Sequence, residues 1–262
     1  MKLRRFLTIG FLFIVVLVLV FINLPSNEEK AKDNKEIDLT FADNYISYVL
    51  NNETVSVNIF GAKKNIANLS DTIAGLELNN ENIKIVEYEI DSGKTSNEHQ
   101  LFNLMLDIKV LSNEIEKADT LRVTFDNNDS QEYNIGQMVV ANEIDSSDHI
   151  SYGNEYNVGY PEPSLVTTIT NTNDESIIIK NVSDLNKMLF YEFSDELLID
   201  PGKSYDIDIP SFENKESIQY DFYTITPIIY YKSGGNEHVF DLPTVIYGLL
   251  DDDDEKLWKV LN

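Results

Sequence analysis

From residue 37 onward, short runs of the chain alternate apolar with polar residues, and this period of two is the strongest constraint on the fold. The runs are rich in Val, Ile, Thr, Tyr and Phe, and clusters of Asn, Asp and Gly separate them. The alternation is regular in Leu121–Phe125, and Asp126–Asp129 then supplies a hairpin turn. In Ile83–Ile90 it slips phase once, which predicts a bulge or a sheet edge.

These runs predict an all-β protein with two tandem immunoglobulin-like β-sandwich domains behind an N-terminal transmembrane helix. Strand-like runs recur at a spacing of roughly ten residues, which is typical of such sandwiches. They fill a first domain over residues 37–145 and a second over 164–250. Residues 146–163 between them are predicted to be a linker, because this segment contains Gly153, Gly159, Pro161 and Pro163.

The segment Asp200–Lys203 reads Asp-Pro-Gly-Lys, and strict alternation follows in Ser204–Ile209. Pro at the second and Gly at the third position favour a type II turn. At class level, this turn and strand resemble the immunoglobulin-like accessory modules of Gram-positive surface proteins, in which such a turn introduces a strand. The resemblance covers about ten residues and implies no function.

An uncharged apolar run over residues 6–24 predicts a membrane anchor. Its nineteen residues would form a helix of roughly 28 Å, close to the thickness of the bilayer core. Lys2, Arg4 and Arg5 in the n-region, residues 1–5, keep that end in the cytoplasm by the positive-inside rule. A cleaved signal peptide is the alternative, but its apolar region is typically about 7–15 residues long and precedes small residues.

Residues 25–36 are polar and lack apolar periodicity, which predicts a flexible stalk between anchor and folded part. The remaining chain is then extracytoplasmic, in a protein that crosses the cell membrane once. The absence of cysteine, together with abundant Asn, Lys, Ile and Asp, indicates a Gram-positive bacterium rather than a secreted eukaryotic protein.

After Ser26 the chain carries 45 acidic and 17 basic residues, a net charge of −28. Such a surface repels nucleic acid and anionic lipids, which excludes nucleic acid as a partner. The partners expected are a membrane protein, a basic peptide or divalent cations. High net charge also maintains solubility, and that alternative remains open.

The C-terminal segment, residues 251–262, is predicted to be an acidic helix or tail. An apolar face there is a candidate docking element for a partner protein, and its residues are Leu257, Trp258 and Leu261. A short helix that packs back on the second sandwich is the alternative. The adjoining acidic run is a candidate for weak Ca²⁺ binding, and it consists of Asp251, Asp252, Asp253, Asp254 and Glu255.

The sequence contains no recognised catalytic constellation. It has no Cys and no Gly-x-Ser-x-Gly motif, and its three histidines, His99, His149 and His238, stand in separate regions next to polar residues. No zinc-binding spacing occurs. We therefore expect no catalytic residues, no bound metal and no cofactor beyond weak Ca²⁺.

The function expected from these features is that of a non-enzymatic, membrane-anchored module that binds a protein or peptide partner at the bacterial cell surface. A cation-responsive or cationic-peptide-sequestering surface protein is the first alternative, because of the negative charge. A wall hydrolase that uses two carboxylates is the second, and it requires a cleft with two acids at a defined separation.

Overall fold

The described chain is built from β-strands, and no helix occurs among its described residues. A computed structural model describes residues 38–64, 68–96, 98–159, 163–215 and 220–247. The predicted all-β class is confirmed. No helix in this described part is long and apolar enough to cross a membrane. The predicted anchor, stalk and C-terminal segment lie outside the described residues.

The described residues contain eighteen strands, which alternate with short turns. The N-terminal half contributes β1 (Asp38–Phe41), β2 (Asn44–Val49), β3 (Val55–Lys64), β4 (Ile73–Leu78), β5 (Ile83–Ser96), β6 (His99–Val110), β7 (Glu116–Phe125) and β8 (Ser130–Ala141). The C-terminal half contributes β9 (Ile150–Gly159), β10 (Ser164–Asn171), β11 (Ile177–Ser183), β12 (Leu189–Ile199), β13 (Ser204–Ile209), β14 (Glu213–Asn214), β15 (Phe222–Ile225), β16 (Ile228–Ser233), β17 (Asn236–Asp241) and β18 (Val245–Tyr247).

The strands pair into four sheets. Sheet A has the order β1-β3-β6-β5 and sheet B the order β18-β15-β2-β8-β7-β4. Sheet C has the order β14-β12-β11-β16-β17 and sheet D the order β13-β10-β9. One hydrophobic core lies between sheets A and B, and a second lies between sheets C and D.

Sheet B joins the two halves of the chain. Strand β2 pairs in parallel with β8 on one side and with β15 from the C-terminal half on the other. Ile46 of β2 belongs to the first core, whereas Tyr45 belongs to the second. Strand β2 is therefore buried on both faces, and the predicted sandwiches at 37–145 and 164–250 share a sheet.

The segment 146–163, which was predicted to be a linker, contains strand β9 (Ile150–Gly159), and this strand pairs with β10. The glycines that suggested a linker are tolerated because β9 is the last strand of sheet D. The register shifts between Thr167 and Ile169, and a Cβ atom added to Gly153 would lie 3.4 Å from the Cβ atom of Thr168 there. Glycine thus marks an irregular edge strand here.

Candidate functional site

A groove with a volume of about 1020 Å³ runs between β4 and β5, where the first sandwich is open. Strand β4 is the last strand of sheet B and β5 is the last strand of sheet A, and residues 79–82 connect them. The floor of the groove is aliphatic. It consists of Leu78 and Ile83, which are buried, and of Leu76 and Ile85, which are partly buried against the first core.

One edge of β4 faces this groove. The Asn79 N–H donates to the Thr120 carbonyl at 3.1 Å, and Glu77 is opposite Arg122 in the same ladder. Because antiparallel ladders alternate between bonded and non-bonded pairs, the main-chain groups of Leu76 and Leu78 point away from β7. No strand lies on that side of β4 in the described part of the chain.

The turn at residues 79–82 closes one end of the groove, and Glu116 holds that turn in place. The Glu116 carboxylate accepts hydrogen bonds from Ser112 Oγ at 2.6 Å, from Asn80 Nδ2 at 2.8 Å and from Asn82 Nδ2 at 2.9 Å. The bond from Ser112, followed by that from Asn80, lowers the pKa of Glu116. The ionised side chain therefore fixes the distance between β4 and β5 at this end.

The rim of the groove carries more negative than positive charge. The acidic lining residues are Glu77, Glu81, Glu116 and Glu132, and the basic ones are Lys84 and Arg122. Arg122 donates to Glu132 Oε1 from Nε at 3.2 Å and from Nη2 at 2.7 Å, and its Nη1 lies 3.8 Å from Glu77 Oε2. The bond to Glu132 raises the pKa of Arg122.

Strand β5 has two register shifts, whereas β4 has one, between Ile73 and Gly75. Its register against β6 shifts between Ile85 and Glu87 and again between Ser92 and Thr95. Such bulges interrupt the row of main-chain groups that a further strand would use. The phase slip in Ile83–Ile90 predicted this feature, and the structure confirms both the bulge and the edge position.

A second group of polar side chains surrounds His238. Its ring centroid lies 4.7 Å from that of His149 and 5.4 Å from that of Tyr231, on which it stacks. Ser147 Oγ lies 3.0 Å from His238 Nδ1. Part of this group, His238 and Tyr231, lines a pocket of about 400 Å³ together with Lys180 and other residues.

This arrangement brings together two histidines that the sequence places 89 positions apart. A contact between a hydroxyl group and an imidazole is the first part of an acyl-transfer site, which also needs a carboxylate to orient the imidazole. Among the described residues, no carboxylate forms a hydrogen bond with His149 or His238, and His149 Nδ1 has no partner there. His99 lies apart from this pair, at the start of β6.

The site residues predicted from the sequence are all at the C-terminus. Leu257, Trp258 and Leu261 lie outside the described residues, as does the acidic run at 251–255. They stay predictions. In the described part, no group of three or more His, Cys, Asp or Glu side chains has the arrangement of a metal site.

The described residues form an all-β fold in which the open edge of β4 lies beside an aliphatic floor. No protein-family model matches the chain, and no curated protein matches it. Among solved structures, the C-terminal domain of the AgI/II polypeptide BspA from Streptococcus agalactiae is 11% identical, with a TM-score of 0.20. The match covers 80% of this chain and 99% of that domain. A likeness at this level assigns neither a fold family nor a function.

Proposed function

We propose that this protein is a non-enzymatic module, anchored in the membrane of a Gram-positive bacterium, that binds a protein or peptide partner outside the cell. The N-terminal helix at residues 6–24 anchors it, with the N-terminus in the cytoplasm. The sandwiches are of the immunoglobulin-like type and extend into the extracytoplasmic space. The module needs no resident cofactor or metal.

The groove between β4 and β5 is the observation that carries this proposal. Its floor offers four aliphatic side chains at an opening in the sandwich, and its volume of about 1020 Å³ accommodates a short stretch of polypeptide. An apolar floor with a polar rim is typical of protein-binding sites. On the rim, Glu132 bonds with Arg122, and Glu116 bonds with Ser112 and two asparagines. These acidic side chains therefore determine both the shape and the charge of the groove.

Position-specific photo-crosslinking of the full-length protein in its membrane tests the proposal. A photo-crosslinking residue replaces Lys84, which is exposed and lines the groove, or Lys203, which is an exposed lysine in the turn before β13 and serves as the matched control. We expect the Lys84 position, and not the Lys203 position, to form one defined adduct with another protein.

The same experiment in a chain that ends at Gly248 separates the groove from the C-terminal segment. An adduct at Lys84 that survives the truncation supports the groove. An adduct that disappears indicates that residues 249–262 are the docking element, and it would overturn the assignment of binding to the groove. Equal adducts at Lys84 and Lys203, or none at either position, would refute the proposal.

A further inference from the structure

We infer that the groove takes its partner by strand addition to β4, and that the added strand alternates aliphatic with basic side chains. This inference rests on the proposed function and specifies the chemistry of the partner. It follows from three properties of the groove: the direction of the β4 main chain, the aliphatic floor and the charge of the rim.

The main chain of β4 supplies the hydrogen bonds for an added strand. The N–H and C=O groups of Leu76 and Leu78 point into the groove, because the bond from Asn79 to Thr120 fixes the phase of the ladder with β7. The six residues of β4 span roughly 20 Å. The ladder with β7 shifts register between Ile73 and Gly75, and the Ile73 carbonyl accepts the Tyr88 hydroxyl, so the regular part of this edge is residues 75–78. An extended partner segment finds alternate main-chain groups there, as in other complexes that form by strand addition.

The two faces of an added strand meet different surroundings. Side chains on its inner face contact Leu76, Leu78 and Ile83, where aliphatic residues bury apolar area. Side chains on its outer face lie beside Glu77 on β4, whereas Arg122 on β7 and Glu132 on β8 lie farther from the open edge. Because side chains alternate between faces, the partner alternates aliphatic and basic residues.

Arg122 on β7 partly neutralises Glu77 from the side of β4 that lies away from the open edge. Its guanidinium group bonds with Glu132 and approaches Glu77, although all three side chains are more than half exposed. Exposed ion pairs contribute little to stability, so Glu77 can also pair with a basic residue of the added strand at small cost. Removal of Arg122 should accordingly strengthen the binding of a basic strand.

The charge of the rim also selects the source of the strand. The C-terminal segment of this chain, which contains Asp251–Glu255, is acidic and would be repelled by the acidic rim. A second copy of a chain with a net charge of −25 would be repelled as well. The occupant that fits is a basic, extended segment of a different protein.

Binding of designed peptides to the full-length protein in nanodiscs of zwitterionic lipid tests the inference. The probe is a fluorescent peptide of about eight residues that alternates lysine and valine, a length that covers β4. One control alternates glutamate and valine, and another alternates lysine and serine. We expect fluorescence anisotropy to show saturable binding of the lysine–valine peptide and affinities at least about tenfold lower for both controls.

N-methylation of the peptide, one amide at a time, tests strand addition directly. Methyl groups at every second amide should abolish binding, whereas those at the intervening amides should leave it within about twofold, because only alternate amides face β4. A uniform response to N-methylation, or no binding of the lysine–valine peptide, would overturn the inference. If the Lys84 crosslink to a partner nevertheless forms, the proposed function stands without strand addition.

Two variants test the role of the rim. Glu77→Gln should weaken binding of the lysine–valine peptide about two- to fivefold, and Arg122→Gln should strengthen it by a similar factor, which is the range for one exposed ion pair. Asp208→Asn, at an exposed carboxylate in sheet D, is the matched control and should leave the affinity unchanged at physiological salt. Equal weakening by Glu77→Gln and Asp208→Asn would indicate attraction to net charge and contradict the assigned site.

Discussion

Replacement of Asp184 by alanine should lower the free energy of unfolding by about 3–5 kcal/mol, because this residue joins the two halves through a buried hydrogen bond. Asp184 follows β11, is fully buried, and accepts a bond from the Tyr45 hydroxyl of β2 at 2.5 Å. It also accepts bonds from the N–H groups of Leu189 at 2.7 Å and Asn186 at 3.0 Å.

The expected magnitude follows from the groups that alanine would leave without partners. The Tyr45 hydroxyl is fully buried, and burial, followed by the charge of Asp184, raises its pKa, so the phenol remains a donor. An unsatisfied buried donor costs about 1–3 kcal/mol, and this applies to Tyr45 and to the N–H of Leu189. The N–H of Asn186 is only partly buried and reaches water. Two unsatisfied donors and a small cavity give the range stated above.

Urea unfolding measures this change. With a denaturant dependence of about 3 kcal/mol per molar urea, a loss of about 3–5 kcal/mol lowers the midpoint by about 1–1.7 M. Tyr45→Phe keeps the ring and removes the hydroxyl, and it should cost about 1–3 kcal/mol. In the double variant, the loss of unfolding free energy should be smaller than the sum of the two single losses by at least about 1 kcal/mol. A midpoint shift below about 0.3 M for Asp184→Ala, or fully additive effects, would refute this reasoning.

Three further substitutions test other parts of the fold. Hydrogen bonds lower the pKa of Glu116, so its ionised side chain stabilises the fold above about pH 4.3, and this stabilisation is lost as pH falls through the lowered pKa. Glu116→Gln should therefore make the urea midpoint fall less steeply between pH 6 and pH 3. Gly136→Ala should cost about 3–5 kcal/mol in thermal unfolding, since φ is 88° and its Cβ atom would lie 2.1 Å from the Asn44 carbonyl oxygen. Gly202→Ala should cost only about 1–2 kcal/mol, because φ is 69° but nothing lies within 4 Å; equal losses at both glycines would contradict the steric argument.

Local features of the fold could be predicted from the sequence because they depend on neighbouring residues. The Pro-Gly pair in Asp200–Lys203 predicted a turn, and Gly202 has a φ of 69° with the Lys203 N–H bonded to the Asp200 carbonyl. The turn at Asp126–Asp129 joins β7 to β8, and Asn128 has a φ of 66°. The phase slip in Ile83–Ile90 predicted an edge for the same reason, since a bulge changes the local alternation.

The shared sheet could not be predicted, because it depends on contacts between distant residues. Asn44 and Ser47 are polar residues in a strand pattern, which favours a solvent-facing position, yet both are buried in β2. Asn44 Nδ2 donates to the Ile135 carbonyl at 3.2 Å, and Ser47 Oγ accepts the N–H of Leu185 at 3.0 Å. These partners are 91 and 138 residues away in the sequence, so the local pattern of residues around β2 does not indicate them.

The groove was not among the sites predicted from the sequence, which all lie in the C-terminal segment. The excess of acidic residues predicted a basic partner, and the groove has four acidic residues among its lining side chains. Its position depends on which strands end the sheets, and that order is set by pairing across the whole chain. The pair of His149 and His238 was missed for a similar reason, since the turn before β9 brings them together from two separate segments.

The position of the opening follows from how the two edge strands are held. Strands β4 and β5 are neighbours in sequence, and a four-residue turn would allow them to pair as a hairpin within one sheet. They belong to different sheets instead, and the bonds from Asn80 and Asn82 to Glu116 hold the turn against the start of β7. The bulges of β5 further prevent a regular ladder with β4. The edge of β4 thus stays open because β5 cannot close it, and an added strand completes sheet B without disrupting an existing ladder.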